Sequence, residues 1–191
     1  SNMTQYARPD SDISNAGSWS PSTGTDLFAV IDEAATNDSD YVTVDGGMVG
    51  AAKTFEVALG AVTDPEVDTG HKLVVRANDA AGVGAVDLTF ILKQGSTTIA
   101  SSGTQTMSSA PANYTTTLSD AEAASITDYS DLRIHVSGVD NMGMDATMSV
   151  FQAFFECPNA LAPAGGIAGI AYSPARSAAS SASFGPTQRT R

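Results

Sequence analysis

Two histidines, one cysteine and several paired aspartates are the residues of this 191-residue chain whose types could support chemistry. His71, His135 and Cys157 are metal-ligand types, but no C-x-x-C or H-x-x-x-H spacing brings ligands into short-range pairs. His71 opens a candidate strand and His135 falls on the polar face of another, so both read as ordinary surface histidines. Asp10 with Asp12, Asp38 with Asp40 and Asp45, and Asp140 with Asp145 could gather oxygens around Ca²⁺, although the ligand order of an EF-hand is absent. Glu56 with a second acid could form a glycosidase pair, but no spacing fixes their separation. No G-x-S-x-G marks a serine nucleophile, and Cys157 abuts Pro158 at a strand end, where it reads as structural. D-G-G at 45–47 and A-G-V-G at 81–84 precede no helix and are turns, not phosphate loops. The expected cofactor complement is none, with calcium as the one alternative.

The elements that would position these residues are strands. Residues 54–62, 71–79 and 85–95 alternate apolar and polar positions: Phe55, Val57 and Leu59 oppose Glu56, and Val86, Leu88, Phe90 and Leu92 oppose Asp87, Thr89 and Lys93. Such a period of two is the mark of half-buried antiparallel strands. The connectors T-D-P-E-V-D-T-G and D-A-A-G-V-G carry turn chemistry, so the three segments read as a meander that needs a second sheet. Further strands are expected at 41–44, 96–107 (bent at Gly103), 112–118, 131–139 and 146–157, with 27–31 as a strand or a short helical turn. Residues 146–157 are apolar on both faces, as in a central or covered strand. Ser119 with Glu122 three residues on forms a capping box, which predicts one or two helical turns there.

Composition agrees with this. Charged residues make up only 16% of the chain while Gly, Ser, Thr, Ala and Asp abound, which favours sheets and turns over long surface helices. A net charge of −12 argues against partnership with nucleic acid or anionic membrane. A single cysteine permits no internal disulfide. No stretch reads as a signal peptide or a membrane span, so the expectation is a soluble protein made in a cytoplasm. Charge is unevenly placed: all 21 acidic residues lie at or before Glu156, against six basic ones, which gives residues 1–158 a net −15. Residues 159–191 hold Arg176, Arg189 and Arg191 and no acid.

Both ends read as arms. Residues 1–26 lack any period, and Trp19 among them either caps the domain's own core or contacts a partner. Residues 159–191 are rich in Ala, Gly and Ser, with Ile167, Ile170, Tyr172 and Phe184 spaced widely, as anchors along an extended segment would be. That arm is expected to dock on an oligomeric neighbour. The predicted architecture is an all-β, two-layer antiparallel sandwich of jelly-roll type over 27–158, with one short helix and extended arms at 1–26 and 159–191.

The stretches Y-A-R-P-D-S-D-I-S, D-E-A-A-T-N-D-S-D-Y, L-S-D-A-E-A-A-S-I-T-D-Y-S-D-L-R-I-H-V and F-Q-A-F-F-E-C-P, in that order, resemble a group of small virion proteins of tailed bacteriophages and prophages. The likeness covers most of residues 6–158; the segment after Pro158 departs from it. It implies a jelly-roll-like structural component of the virion, made in the host bacterial cytoplasm, and no catalytic residue. The leading expectation is a non-enzymatic, capsid-associated auxiliary protein (decoration, cement or head-fibre base). It would assemble through its arms on copies of itself and on major capsid or tail proteins. Its contact residues would be Trp19, Ile167, Ile170, Tyr172, Arg176, Phe184, Arg189 and Arg191. An alternative is a tail or fibre module binding host glycan through loop aromatics such as Trp19, Tyr41 or Tyr114. A secreted hydrolase is a third reading, without an assembled site to support it.

Overall fold

In the computed structural model, which describes residues 3–47, 50–82, 85–143 and 146–160, the alternating segments are strands. Among the described residues twelve strands run in chain order: β1 (Thr4–Ala7), β2 (Pro9–Ser14), β3 (Ser20–Pro21), β4 (Val42–Asp45), β5 (Lys53–Leu59), β6 (Lys72–Asp79), β7 (Val86–Gln94), β8 (Thr97–Ser101), β9 (Gln105–Thr106), β10 (Ala112–Thr117), β11 (Leu132–Asp140) and β12 (Thr147–Pro158). They form two six-stranded antiparallel sheets packed as a sandwich. The first has the order β10-β6-β12-β4-β3, with β1 also on β12; the second has β2-β5-β11-β7-β8, with β9 also on β7. No helix among the described residues is long and apolar enough to cross a membrane.

Period two explains which residues meet in the middle. Along β11 burial alternates residue by residue, with Leu132, Ile134 and Val136 turned inward. They meet Phe55, Phe90 and Leu92 from their own sheet and Leu73, Val75, Met148 and Phe155 from the other, all essentially inaccessible to water. Each such side chain contributes roughly 1.5–3 kcal/mol by leaving water. The short helix α1 (Asp120–Ala124) carries the expected capping box: Glu122 N–H donates to Ser119 Oγ, and Ser119 N–H to Glu122 Oε2. Residues 28–30 form a 3₁₀ turn. The strand expected over 96–107 is interrupted at Gly103 and splits into β8 and β9.

Two expectations are corrected. The central segments are not a meander: β5 and β7 flank β11 in one sheet, and β6 lies in the other. Period two reports which face of a strand is buried but not which strand is its neighbour, and the intervening turns cross the gap between layers. The N-terminal 26 residues are extended, but they do not stand apart from the sandwich. β1 pairs with the end of β12, β2 with β5 and β3 with β4, so the sheets begin at Thr4 rather than at Leu27. These strands lie at sheet edges and change sheets within a few residues, which leaves them no long apolar face to announce them.

β12 shows why both of its faces are apolar. It is central to the first sheet, and a register slip between Val150 and Gln152 lets Ala153 N–H bond to Ile31 C=O (3.0 Å). The segment after Ile31 then covers its outer side. Gln152 Nε2 donates to Glu33 C=O (2.6 Å), Tyr41 meets Phe151 edge-on, and Asp38 takes two hydrogen bonds from Arg76 (2.6 and 2.7 Å).

Candidate functional site

The densest group of ionisable side chains lies on the outer face of the second sheet. Register places Glu56 of β5 opposite His135 of β11, and Arg133 of β11 opposite Lys93 of β7. Glu56 is only 5% exposed, and its Oε2 accepts from Lys93 Nζ (2.7 Å) and faces His135 Nδ1 (3.0 Å), while Arg133 Nη1 stands 3.5 Å from Oε1. Burial pushes the Glu56 carboxyl up, but the bonds from Lys93 and His135 outweigh it and hold the group below the usual carboxylate range. An acid catalyst of glycoside cleavage needs the opposite shift and a second carboxyl across a gap. Asp131, the other acid here, joins through Arg133 Nη2 (3.5 Å), behind the cation. The arrangement is a charge clasp that ties three central strands together.

The aspartates that suggested calcium are engaged separately. Asp38 grips Arg76, Asp40 accepts from Asn37 (2.8 Å), and Asp45 accepts from Thr147 (3.0 Å). Asp12 receives the N–H groups of Leu27 and Phe28 (both 2.8 Å) and so anchors the 3₁₀ turn, while Asp10 bonds Ser11. Among the described residues no three His, Cys, Asp or Glu side chains converge on one point. Asp145 lies outside the described residues.

Asp140, expected with Asp145 as a possible calcium pair, is instead matched with Asp79, which sequence reading passed over. Each ends a strand and crosses to the other sheet through the same pattern, D-x-x-G-x-x-A: D-A-A-G-V-G-A at 79–85 and D-N-M-G-M-D-A at 140–146. Both are fully buried. Asp79 Oδ1 accepts from Ala81 and Gly82 N–H (3.1 Å each) and Oδ2 from Ala85 N–H (3.4 Å). Asp140 repeats this with Met142, Gly143 and Ala146 (2.9, 2.9 and 3.3 Å). The fourth residue of each loop, Gly82 or Gly143, has φ of +69° or +63°, the left-handed region that favours glycine. The β4–β5 crossing packs on the second loop: Gly46 N–H donates to Ala146 C=O (2.7 Å), and a Cβ on Gly46 would meet Asp140 Cβ at 2.5 Å. The repeated spacing is the signal that could have found the pair.

His71 is not at the surface. It is fully buried, with Nδ1 3.1 Å from Thr69 C=O and Nε2 2.8 Å from Tyr129 Oη. The carbonyl can only accept, so Nδ1 carries the proton and Tyr129 donates to Nε2. Burial lowers the His71 pKa, which keeps the ring neutral, and burial likewise pushes the Cys157 thiol up to about 11. The linked stability is therefore complete above the unfolded value of about 6.5 and drains away as pH falls through the lower folded value. The melting midpoint should drop between about pH 7 and about pH 5 more steeply in the native chain than in His71→Gln. Equal slopes in the two proteins would contradict the buried neutral ring.

Of the expected partner contacts, Trp19 belongs to the core. It is 2% exposed and meets Phe55 edge-on at 5.0 Å, because Asn15 clamps its backbone from both sides (2.8 Å each) and turns the indole inward. Ile167, Ile170, Tyr172, Arg176, Phe184, Arg189 and Arg191 lie outside the described residues. The loop aromatics do not gather: Tyr114 packs toward Phe90 (6.1 Å), and Tyr41 leans on Phe151. The aromatic that sequence reading passed over is Tyr6, 48% exposed, which meets Phe154 edge-on (5.7 Å) with the Arg8 guanidinium 4.9 Å from its ring centre.

No protein-family model matches the chain, and no curated protein sequence does. Solved structures share the layered fold at low scores. The CBM36-1 domain of a multidomain xylanase from the hindgut metagenome of Trinervitermes trinervoides aligns over 84% of this chain and all of its own, with 10% identity and a TM-score of 0.36. A family 35 carbohydrate-binding module from an environmental isolate aligns over 83% and 99%, with 9% identity and a TM-score of 0.40. The chain spans only 22% of the Endo-D glycoside hydrolase domain structure from Streptococcus pneumoniae R6, with 12% identity and a TM-score of 0.41. Likeness at this level carries no argument about function.

Proposed function

We propose that the chain is a non-enzymatic structural protein of a tailed-phage or prophage virion, a capsid-associated auxiliary subunit of the decoration, cement or head-fibre-base kind. The observation that carries the reading is the division of charge, −15 on residues 1–158 against three arginines and no acid beyond them. An acidic body disfavours contact between free subunits over most of its surface, because like-charged molecules repel over a Debye length of about 8 Å at physiological salt. Arg176, Arg189 and Arg191 then answer acidic surface on a neighbouring copy, the major capsid protein or a tail protein, while Ile167, Ile170, Tyr172 and Phe184 anchor the extended segment along its length. The likeness of residues 6–158 to small virion proteins supports the same reading. So does the clasp at Glu56, where charge is spent on holding strands rather than on a substrate. Averaged density from purified particles should hold the sandwich at repeated positions on the shell, and particles without it remove the proposal.

A glycan-binding module on a tail or fibre is the second reading, favoured by exposed Tyr6 beside Phe154 and Arg8. The Arg8 guanidinium lies over one face of the Tyr6 ring, so a sugar would contact the part of the ring that stays exposed. A glycan array without hits would remove it.

A further inference from the structure

An exposed sheet edge offers unpaired N–H and C=O groups to any second strand, and proteins guard such edges with charge, proline, bulges or short length. Most edges here are guarded. β2 carries Pro9, Asp10 and Asp12, and its register against β5 slips twice. β3 is two residues ending in Pro21, and β8 slips against β7 before two-residue β9 takes over. β10 has none of these devices. Its sequence, A-N-Y-T-T-T, holds no charge and no proline, and it pairs with β6 without a slip from Ala112–Ala77 to Thr117–Lys72. Among the described residues it ends the first sheet with no further strand beyond it.

The direction of its free groups follows from one bond. Leu118 N–H donates to His71 C=O (3.0 Å), one residue past the Thr117–Lys72 pair. Alternation in an antiparallel ladder then turns the backbone N–H and C=O of Asn113, Thr115 and Thr117 toward the open edge. Pro111, with no N–H to give, closes the edge at one end, and the helix beginning at Asp120 closes it at the other.

We propose that β10 pairs with β10 of a second copy of this chain, antiparallel about a two-fold axis at Thr115, joining the two six-stranded sheets edge to edge. In that register Thr115 faces its own copy and Asn113 faces Thr117, giving about six ladder hydrogen bonds. Every facing pair is neutral, and Thr–Thr neighbours across a ladder are favourable. A strand that complements itself closes the assembly at two copies. Charge selects this occupant: the edge offers nothing for tail arginines to answer, and two bodies of −15 can approach only where the local surface is neutral. The proposal stands apart from the virion reading, because such a pair would form in solution.

The test is the solution mass of the full chain by sedimentation at low and high salt. A dimer of twice 19.5 kDa is expected, tightening as salt rises, since screening relieves repulsion between the acidic bodies. Thr115→Lys sets two ammonium groups face to face at the axis, and Thr115→Pro removes an outward N–H while leaving the β6 pairing intact. Each should weaken the dimer by at least about tenfold with an unchanged circular dichroism spectrum. A monomer at every salt, a dimer that survives Thr115→Lys, or a dimer that dissolves as salt rises would overturn the proposal. The last outcome would assign the contact to opposite charges instead.

Discussion

Alanine in place of Asp140 should cost the body about 3–5 kcal/mol of stability, a loss as large as emptying a core position. The buried carboxylate accepts charge-assisted bonds from at least three loop N–H groups, and its removal leaves Ala146 N–H without this acceptor on the buried side of the loop while Met142 and Gly143 lose theirs on the exposed side. An unpartnered buried donor costs roughly 1–3 kcal/mol. For a body of this length the melting midpoint should fall by on the order of 10 °C. Asp79→Ala should lose somewhat less, since the same bonds recur there but Gly82 N–H also reaches the Asp79 C=O (3.0 Å), which alanine keeps. A midpoint within about 2 °C of the native value for either variant would show that the loops hold without their carboxylates.

Glu56→Ala is the second large effect, and it fails in a different way. The substitution leaves Lys93, Arg133 and His135 around an empty place on a half-buried face, with no carboxylate to join them. Removing one partner of a buried ion pair costs more than the pair itself gained, about 2–4 kcal/mol for a group as enclosed as this one. Salt should separate the two variants. Screening relieves repulsion among the remaining cations, so Glu56→Ala should regain part of its lost stability at high ionic strength, whereas Asp140→Ala should not. Denaturant midpoints for both proteins at low and high salt check this, and a salt-independent deficit in Glu56→Ala would contradict the clasp.

Much of the fold was legible because half-buried strands carry their own period. Phe55, Val57 and Leu59 and the alternation of β11 name their inner faces without help, and the Ser119–Glu122 box names its helix. Neighbour order was not legible, because the same alternation serves a strand paired with either flank. β1, β2 and β3 escaped notice because polar edge strands such as Pro9–Ser14, where Pro9 alone is buried, carry no apolar period. Of the site, Glu56 stood out as a lone acid among apolar neighbours, but its partners Lys93 and His135 come from strands 37 and 79 residues away, a distance only pairing can reveal. His71 was misplaced because its burial depends on Tyr129, which arrives from a connection before β11.

The claim that tail and body divide the labour of assembly is tested most directly by counting copies on purified particles, made once with the whole chain and once with a chain ending at Pro158. The predicted result is occupancy with the whole chain and none with the shortened one, while both melt at the same temperature. Equal occupancy of the two chains, or no copies on any particle, would contradict it.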